Sequence, residues 1–215
     1  MTDRAPERIL TNWLAGEFGK LELLSHRSYR DQKGVYHIVG EVKNTGTKNL
    51  ISVEVTARLY DKKKKPIGFA YTFTPIQVLL PGQKSPFEII SFEKGEVETY
   101  NLKINFGTTL QKPYSEIDIV EKSQYSDEEG SLHVVGVVKN TGNQNVGFIK
   151  IVGTFYDTNE KVIFTSFVYT EPKTLDLGKT ARFDMSVPSE ISNKIVDHSI
   201  QVECTHGLHI VSPKW

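Results

Sequence analysis

The stretch CTHGLH, residues 204–209, holds the side chains whose types and spacing come nearest to a metal site. A thiolate at Cys204 with imidazoles at His206 and His209 suits zinc or copper. Residues 204 and 206 share one side of a strand, and Gly207 offers a turn before His209. The set matches no blue-copper spacing. No Met follows Cys204, and His198, which shares the strand parity, stands where the first half of the chain has Leu102.

Three other groups could do chemistry. His37 and His133 recur at matching outward positions of a strand, so a duplicated site or a surface imidazole packed beside its neighbours would both place them there. Tyr60-Asp61 and Tyr156-Asp157 recur at strand ends. A tyrosine hydroxyl capping backbone, followed by an Asx turn, accounts for such a pair without catalysis. Lys62 to Lys65 form a basic tip that could meet a phosphate or an anionic surface. The same lysines are equally at home in water, where they discourage edge pairing. No nucleophile–His–acid set, phosphate-cradling glycine loop or pair of helical carboxylates stands in the sequence. The expectation is a protein without catalysis or cofactor.

Those residues are placed by a repeat. Shifted by 96 positions, Tyr29, Asp31, Gly34 and His37 fall on Tyr125, Asp127, Gly130 and His133. The phrase GEVKNTG at 40–46 falls on GVVKNTG at 136–142, Tyr60-Asp61 on Tyr156-Asp157, Gly82 on Gly178, and Phe87 on Phe183. So long a period makes each copy a complete domain rather than a solenoid unit.

Within each copy the apolar period is two, the mark of half-buried strands. Tyr36, Ile38, Gly40 and Val42 share a face, as do Leu132, Val134, Gly136 and Val138. Val53, Val55, Ala57 and Leu59 match Ile149, Ile151, Gly153 and Phe155. Ile67, Phe69, Tyr71 and Phe73 match Ile163, Thr165, Phe167 and Tyr169, and are expected to keep the same inward parity. Asn44-Thr45-Gly46 and Asn140-Thr141-Gly142 read as turns, with Gly free to take positive φ. Gly40 and Gly136 stand mid-strand on an inward face, where a large neighbour from the facing sheet, Phe87 or Phe183, is expected to cover them.

The predicted fold is all-β: two tandem antiparallel immunoglobulin-like β-sandwiches over 20–112 and 113–215, preceded by a helical segment over 1–19. In that segment Ile9, Leu10, Trp13, Leu14 and Phe18 form a helical stripe suited to docking on a sandwich or a partner.

The pattern Val-x-Gly-x-Val-x-Asn-Thr-Gly, followed by an apolar strand ending in Leu/Phe-Tyr-Asp and a Gly turn before Phe, resembles the FxLYD domain family. It is carried by Gly40, Val42, Asn44, Gly46, Leu59, Tyr60, Asp61 and Gly82, and by Gly136, Val138, Asn140, Gly142, Phe155, Tyr156, Asp157 and Gly178. The resemblance covers roughly 35–90 and 131–186. Ala57 and Gly153 replace the family's leading Phe. The resemblance implies extracytoplasmic modules of bacterial or archaeal proteins, often in tandem, without a shared active site.

Composition adds limits. The 215 residues include 38% hydrophobic and 24% charged residues, and no apolar run approaches the roughly 20 needed to span a membrane. The single cysteine excludes an intramolecular disulfide. Net charge is zero, yet residues 1–112 carry 17 Lys and Arg against 12 Asp and Glu, while 113–215 carry 9 against 14. Opposite halves can attract head to tail between chains.

The N-terminus lacks a signal-peptide core, so the chain is expected either to be cytoplasmic or to have lost an exporting or anchoring segment. The expected role is non-enzymatic protein interaction or spacing at the cell surface, with an unidentified protein partner and no nucleic acid. Metal binding through Cys204, His206 and His209 is the alternative.

Overall fold

The computed structural model describes residues 20–93 and 95–206, and only the backbone of Thr205 and His206. The helix expected within 1–19 lies outside the described residues. The described chain is β-sandwich-like, its regular structure all strand but for one short helix, α1 (Ser189–Ser192).

Contacts divide the chain into two units. One holds the described residues to Gln111 with Tyr156–Thr165; the other holds Lys112–Phe155 with the described residues from Ser166. Two sheets lie before Gln111. Strands β1 (Leu21–Arg30), β2 (Tyr36–Asn44) and β6 (Lys84–Ser91) pair in the order β1-β2-β6. Strand β3 (Asn49–Tyr60) is flanked on one side by β4 (Pro66–Phe73) and then by the two-residue β5 (Val78–Leu79), and on the other by β7 (Thr99–Thr109). The later strands repeat this. Strands β8 (Ile117–Ser126), β9 (Leu132–Asn140) and β13 (Thr180–Val187) pair in the order β8-β9-β13. Strand β10 (Val146–Tyr156) pairs with β11 (Val162–Tyr169), β12 (Thr174–Leu175) and β14 (Asp197–His206).

The inward faces follow the period of two. Val53, Val55, Ala57 and Leu59 of β3 are almost wholly buried, with Ile38 and Val42 of β2 and Ile89 of β6. Ile149, Ile151 and Phe155 of β10, Val134 and Val138 of β9, and Met185 of β13 fill the equivalent places. At Gly153 an added Cβ would collide with Met185 Sδ, so the large methionine occupies the room that the missing side chain leaves.

Two expectations are corrected here. Phe87 does cover Gly40, but from the neighbouring strand of the same sheet, since the register pairs Gly40 with Phe87 on β6. Phe183 of β13 likewise pairs with Gly136. A bulge in β1 after Leu23, and one in β8 after Ile119, push a carbonyl against the same glycine. A Cβ on Gly40 would stand 2.5 Å from the Phe87 ring and 2.6 Å from Ser25 O.

The second correction concerns the Asn-Thr-Gly turns. Positive φ falls on Gly34, Gly82, Gly130 and Gly178, and not on Gly46 or Gly142. Asn44 is instead a fully buried clamp. Its Nδ2 donates to Lys48 O and Leu79 O, both at 2.8 Å, and its Oδ1 accepts from Gly46 N at 3.0 Å. Asn140 repeats this with Gln144 O, Leu175 O and Gly142 N. A buried amide must have its hydrogen bonds met, and here one side chain ties the β2–β3 turn to β5.

Candidate functional site

The residues that recur at the 96-residue period gather into two equivalent surface clusters. Arg30 of β1 leads into a turn in which Asp31 Oδ1 accepts from Lys33 N and Val35 N, with Gly34 at φ +78°. That turn brings Tyr29 and His37 to neighbouring places on β1 and β2, where their rings stack at 4.8 Å. His37 Nδ1 lies 2.9 Å from Glu88 Oε1, and its Nε2 lies 3.6 Å from Asp31 Oδ2. In the later strands Tyr125 stacks on His133 at 4.8 Å. His133 Nδ1 lies 2.7 Å from Asp184 Oδ1 and Nε2 lies 3.4 Å from Asp127 Oδ2. The hydrogen bond and charge of Asp184 raise the His133 pKa above 6.5, against an opposing desolvation. Asp127 is held below the ordinary carboxylate range, chiefly by the Ser131 amide. An imidazole between two carboxylates and under a tyrosine ring is a fastener between strands and has no open nucleophile.

Tyr60 and Asp61 end β3. Asp61 Oδ1 accepts from Lys63 N and Lys65 N at 2.8 and 2.9 Å, closing the β3–β4 hairpin. The Tyr60 hydroxyl accepts from the Asn101 side chain, Nδ2 at 3.4 Å. Asp157 Oδ1 closes the β10–β11 hairpin around Asn159 N and Lys161 N in the same way. Lys62 at the basic tip reaches Glu96 at 3.0 Å across a well-exposed pair.

Cys204 is buried on β14, its Sγ 3.6 Å from Tyr114 O. Burial pushes the thiol up to about 11, with Glu203 adding to the effect. A metal would have to displace that proton. The side chain of His206, and His209, lie outside the described residues. Among the described residues no group of three His, Cys, Asp or Glu side chains is placed to hold a metal ion.

The structure shows a feature that the period of two hid. Phe69, Tyr71 and Phe73 on β4 point outward, 70%, 58% and 53% exposed. The inward positions of that strand are the small Gly68, Ala70 and Thr72. Tyr71 and Phe73 meet edge to face at 6.2 Å, and Phe167 and Tyr169 on β11 do so at 6.1 Å. Among the described residues β4 pairs only with β3, and β11 only with β10, so these rings stand at sheet edges.

Register extends the aromatic column into rows across the sheet. Phe69, Arg58 and Asn101 form one row; Tyr71, Thr56 and Lys103 the next; Phe73, Glu54 and Asn105 the third. Glu54 Oε1 accepts from Thr56 Oγ1 and Asn105 Nδ2, both at 3.2 Å. A groove of about 660 Å³ runs over the first two rows, lined by Thr56, Arg58, Tyr60, Phe69, Asn101 and Lys103 among others.

No family model matches the chain, and no curated protein matches it. Among solved structures it is similar to an exo-chitosanase from Amycolatopsis orientalis, at 9% identity and TM-score 0.30, covering 83% of this chain and 25% of that one. A red sea bream transglutaminase aligns at 9% identity and TM-score 0.27, over 86% of this chain and 29% of that one. Bacteroides uniformis β-glucuronidase 2 aligns at 12% identity and TM-score 0.26, over 82% and 26%. The chain thus spans between a quarter and a third of these proteins, at a likeness that supports no argument about activity.

Proposed function

We propose that this protein is a non-catalytic binding module, built from two tandem immunoglobulin-like sandwiches of the FxLYD type and working outside the cytoplasm or at the cell surface. The observation that carries the reading is the duplicated pair of outward rings, Tyr71–Phe73 and Phe167–Tyr169, on the outer faces of filled sheets. Large aromatic side chains left in water give up burial worth roughly 1.5–3 kcal/mol each. Grouped exposed rings serve contact with another surface. The titratable clusters support the same reading, because each histidine is held between two carboxylates of its own unit. The resemblance in the Gly-x-Val-x-Asn-Thr-Gly and Tyr-Asp residues supports the sandwich class and the compartment.

The test is retention of the intact chain on a panel of immobilised polysaccharides and polypeptides, alongside a variant with Tyr71, Phe73, Phe167 and Tyr169 all replaced by Ser. The expected result is retention on at least one polymer, lost in the variant while its thermal unfolding stays within about 2 °C of the parent. Equal retention of both proteins throughout the panel would end the reading. So would turnover of a chromogenic substrate that the variant no longer performs.

A further inference from the structure

The outer face of β3, β4 and β7 carries more than rings. Two cations, Arg58 and Lys103, stand in adjacent rows beside Phe69 and Tyr71, and neither is paired with a carboxylate among the described residues. The only carboxylate in the three rows, Glu54, is occupied by Thr56 and Asn105 one row away. The Asn101 amide and the Thr56 hydroxyl line the same groove. We propose that this groove binds an acidic polysaccharide, a pyranose ring stacking on Phe69 while Arg58 and Lys103 meet the chain's carboxylates. The proposal deepens the reading of the protein as a binding module and rests on it.

Geometry separates this occupant from an added peptide strand. Strands in a sheet lie about 4.8 Å apart. A peptide joining the open edge of β4 would lie two spacings from β3 and three from β7, about 10 and 14 Å from the columns that hold Arg58 and Lys103. A ligand that uses the rings and both cations must cross the strands on the sheet face. A peptide laid that way leaves its own amides without the ladder that makes strand addition favourable. A sugar ring makes no such demand: its C–H face stacks on an aromatic, and its hydroxyls and carboxylate meet side chains. The charge is complementary to an anion, since two cations without a carboxylate partner among the described residues face the groove. The later unit supplies an internal control. At the positions 96 residues on, Thr154, Thr165 and Ser199 replace Arg58, Phe69 and Lys103, while Phe167 and Tyr169 keep the other two rings.

Affinity electrophoresis of the full chain in polygalacturonate tests the proposal, with dextran as a neutral polymer and polyglutamate and single-stranded poly(dT) as other polyanions. The expected result is retardation by polygalacturonate alone. It should weaken at least tenfold in Arg58→Gln/Lys103→Gln, at least fivefold in Phe69→Ser, and not at all in Phe167→Ser. Those exposed substitutions are checked for unchanged thermal unfolding, and Arg58→Lys should restore part of the retardation. Equal or stronger retardation by polyglutamate or poly(dT), retardation by dextran, or insensitivity to the cation substitutions would overturn the proposal and leave the binding-module reading standing. A sedimentation shift to dimer in the parent that Arg58→Gln/Lys103→Gln abolishes would make a second copy the occupant, and would overturn it too. Absence of retention on every polymer would remove the broader reading with it.

Discussion

At the residue scale, the repeated histidines and the lone cysteine lend themselves to measurement. His133 sits above its ordinary pKa because Asp184 and Asp127 favour its charged form. A group with a raised folded pKa contributes stability that is fully present below its unfolded value, 6.5 here, and is lost as pH rises through the folded value. His133→Gln should therefore cost more stability at pH 5.5 than at pH 8.5, as read from urea unfolding of parent and variant at both values. An equal cost at the two pH values would show the imidazole to be mere packing. For Cys204, a thiol pushed up to about 11 leaves roughly one molecule in a thousand as thiolate at pH 8. Labelling by a disulfide reagent at pH 8 should be slow in the native protein and immediate in denaturant; fast native labelling would contradict that burial. The sequence brings forward both histidines and Cys204 by type and spacing. Their partners, Glu88, Asp184 and the Tyr114 carbonyl, come from segments remote in sequence, and no local pattern announces them.

At the scale of elements, alternation reveals which residues share a face but not always which face is wet. On β3 and β10 the apolar side is inside, as its β-branched and aliphatic residues suggest. On β4 the bulkier side faces solvent, because β4 is an edge strand and its inward places hold Gly68, Ala70 and Thr72. The small inner residues of β4 were the available signal. Gly40 shows the other kind of partial legibility: Phe87 was identifiable as its cover from the repeat, but only register shows that the ring comes from the adjoining strand. The groove was not legible at all, since Arg58, Phe69 and Lys103 meet through two separate pairings. Gly40→Ala would press a methyl group into both the Phe87 ring and the Ser25 carbonyl. Overpacking of this kind costs about 1–3 kcal/mol, and the backbone oxygen cannot swing away, so the expected loss is near the upper end. Chemical denaturation reads it directly; a variant as stable as the parent would mean that the bulge relaxes freely.

At the scale of the whole molecule, a net charge of zero conceals opposite halves, and the isoelectric point near 7.0 places the minimum of mutual repulsion at neutral pH. Molecules of this kind attract one another through complementary charge more than through any surplus of one sign. The second virial coefficient from light scattering should be lowest near pH 7 in dilute buffer and should rise when 0.3 M NaCl is added. A fall with salt would point to apolar contact between exposed rings as the dominant attraction instead.

The sheet edge formed by β4 also bears on how such a chain stays in solution. Pro66 begins the strand, Pro75 follows its last ring by two residues, and the short β5 carries the sheet edge onward after that break. Proline offers no amide to a docking strand and interrupts any ladder that would grow past it. The oily column is therefore fenced at both ends, and a ladder growing along it meets a proline on either side. Pro75→Thr should shorten the lag before thioflavin-positive fibres form under agitation, and an unchanged lag would mean that the fence lies elsewhere.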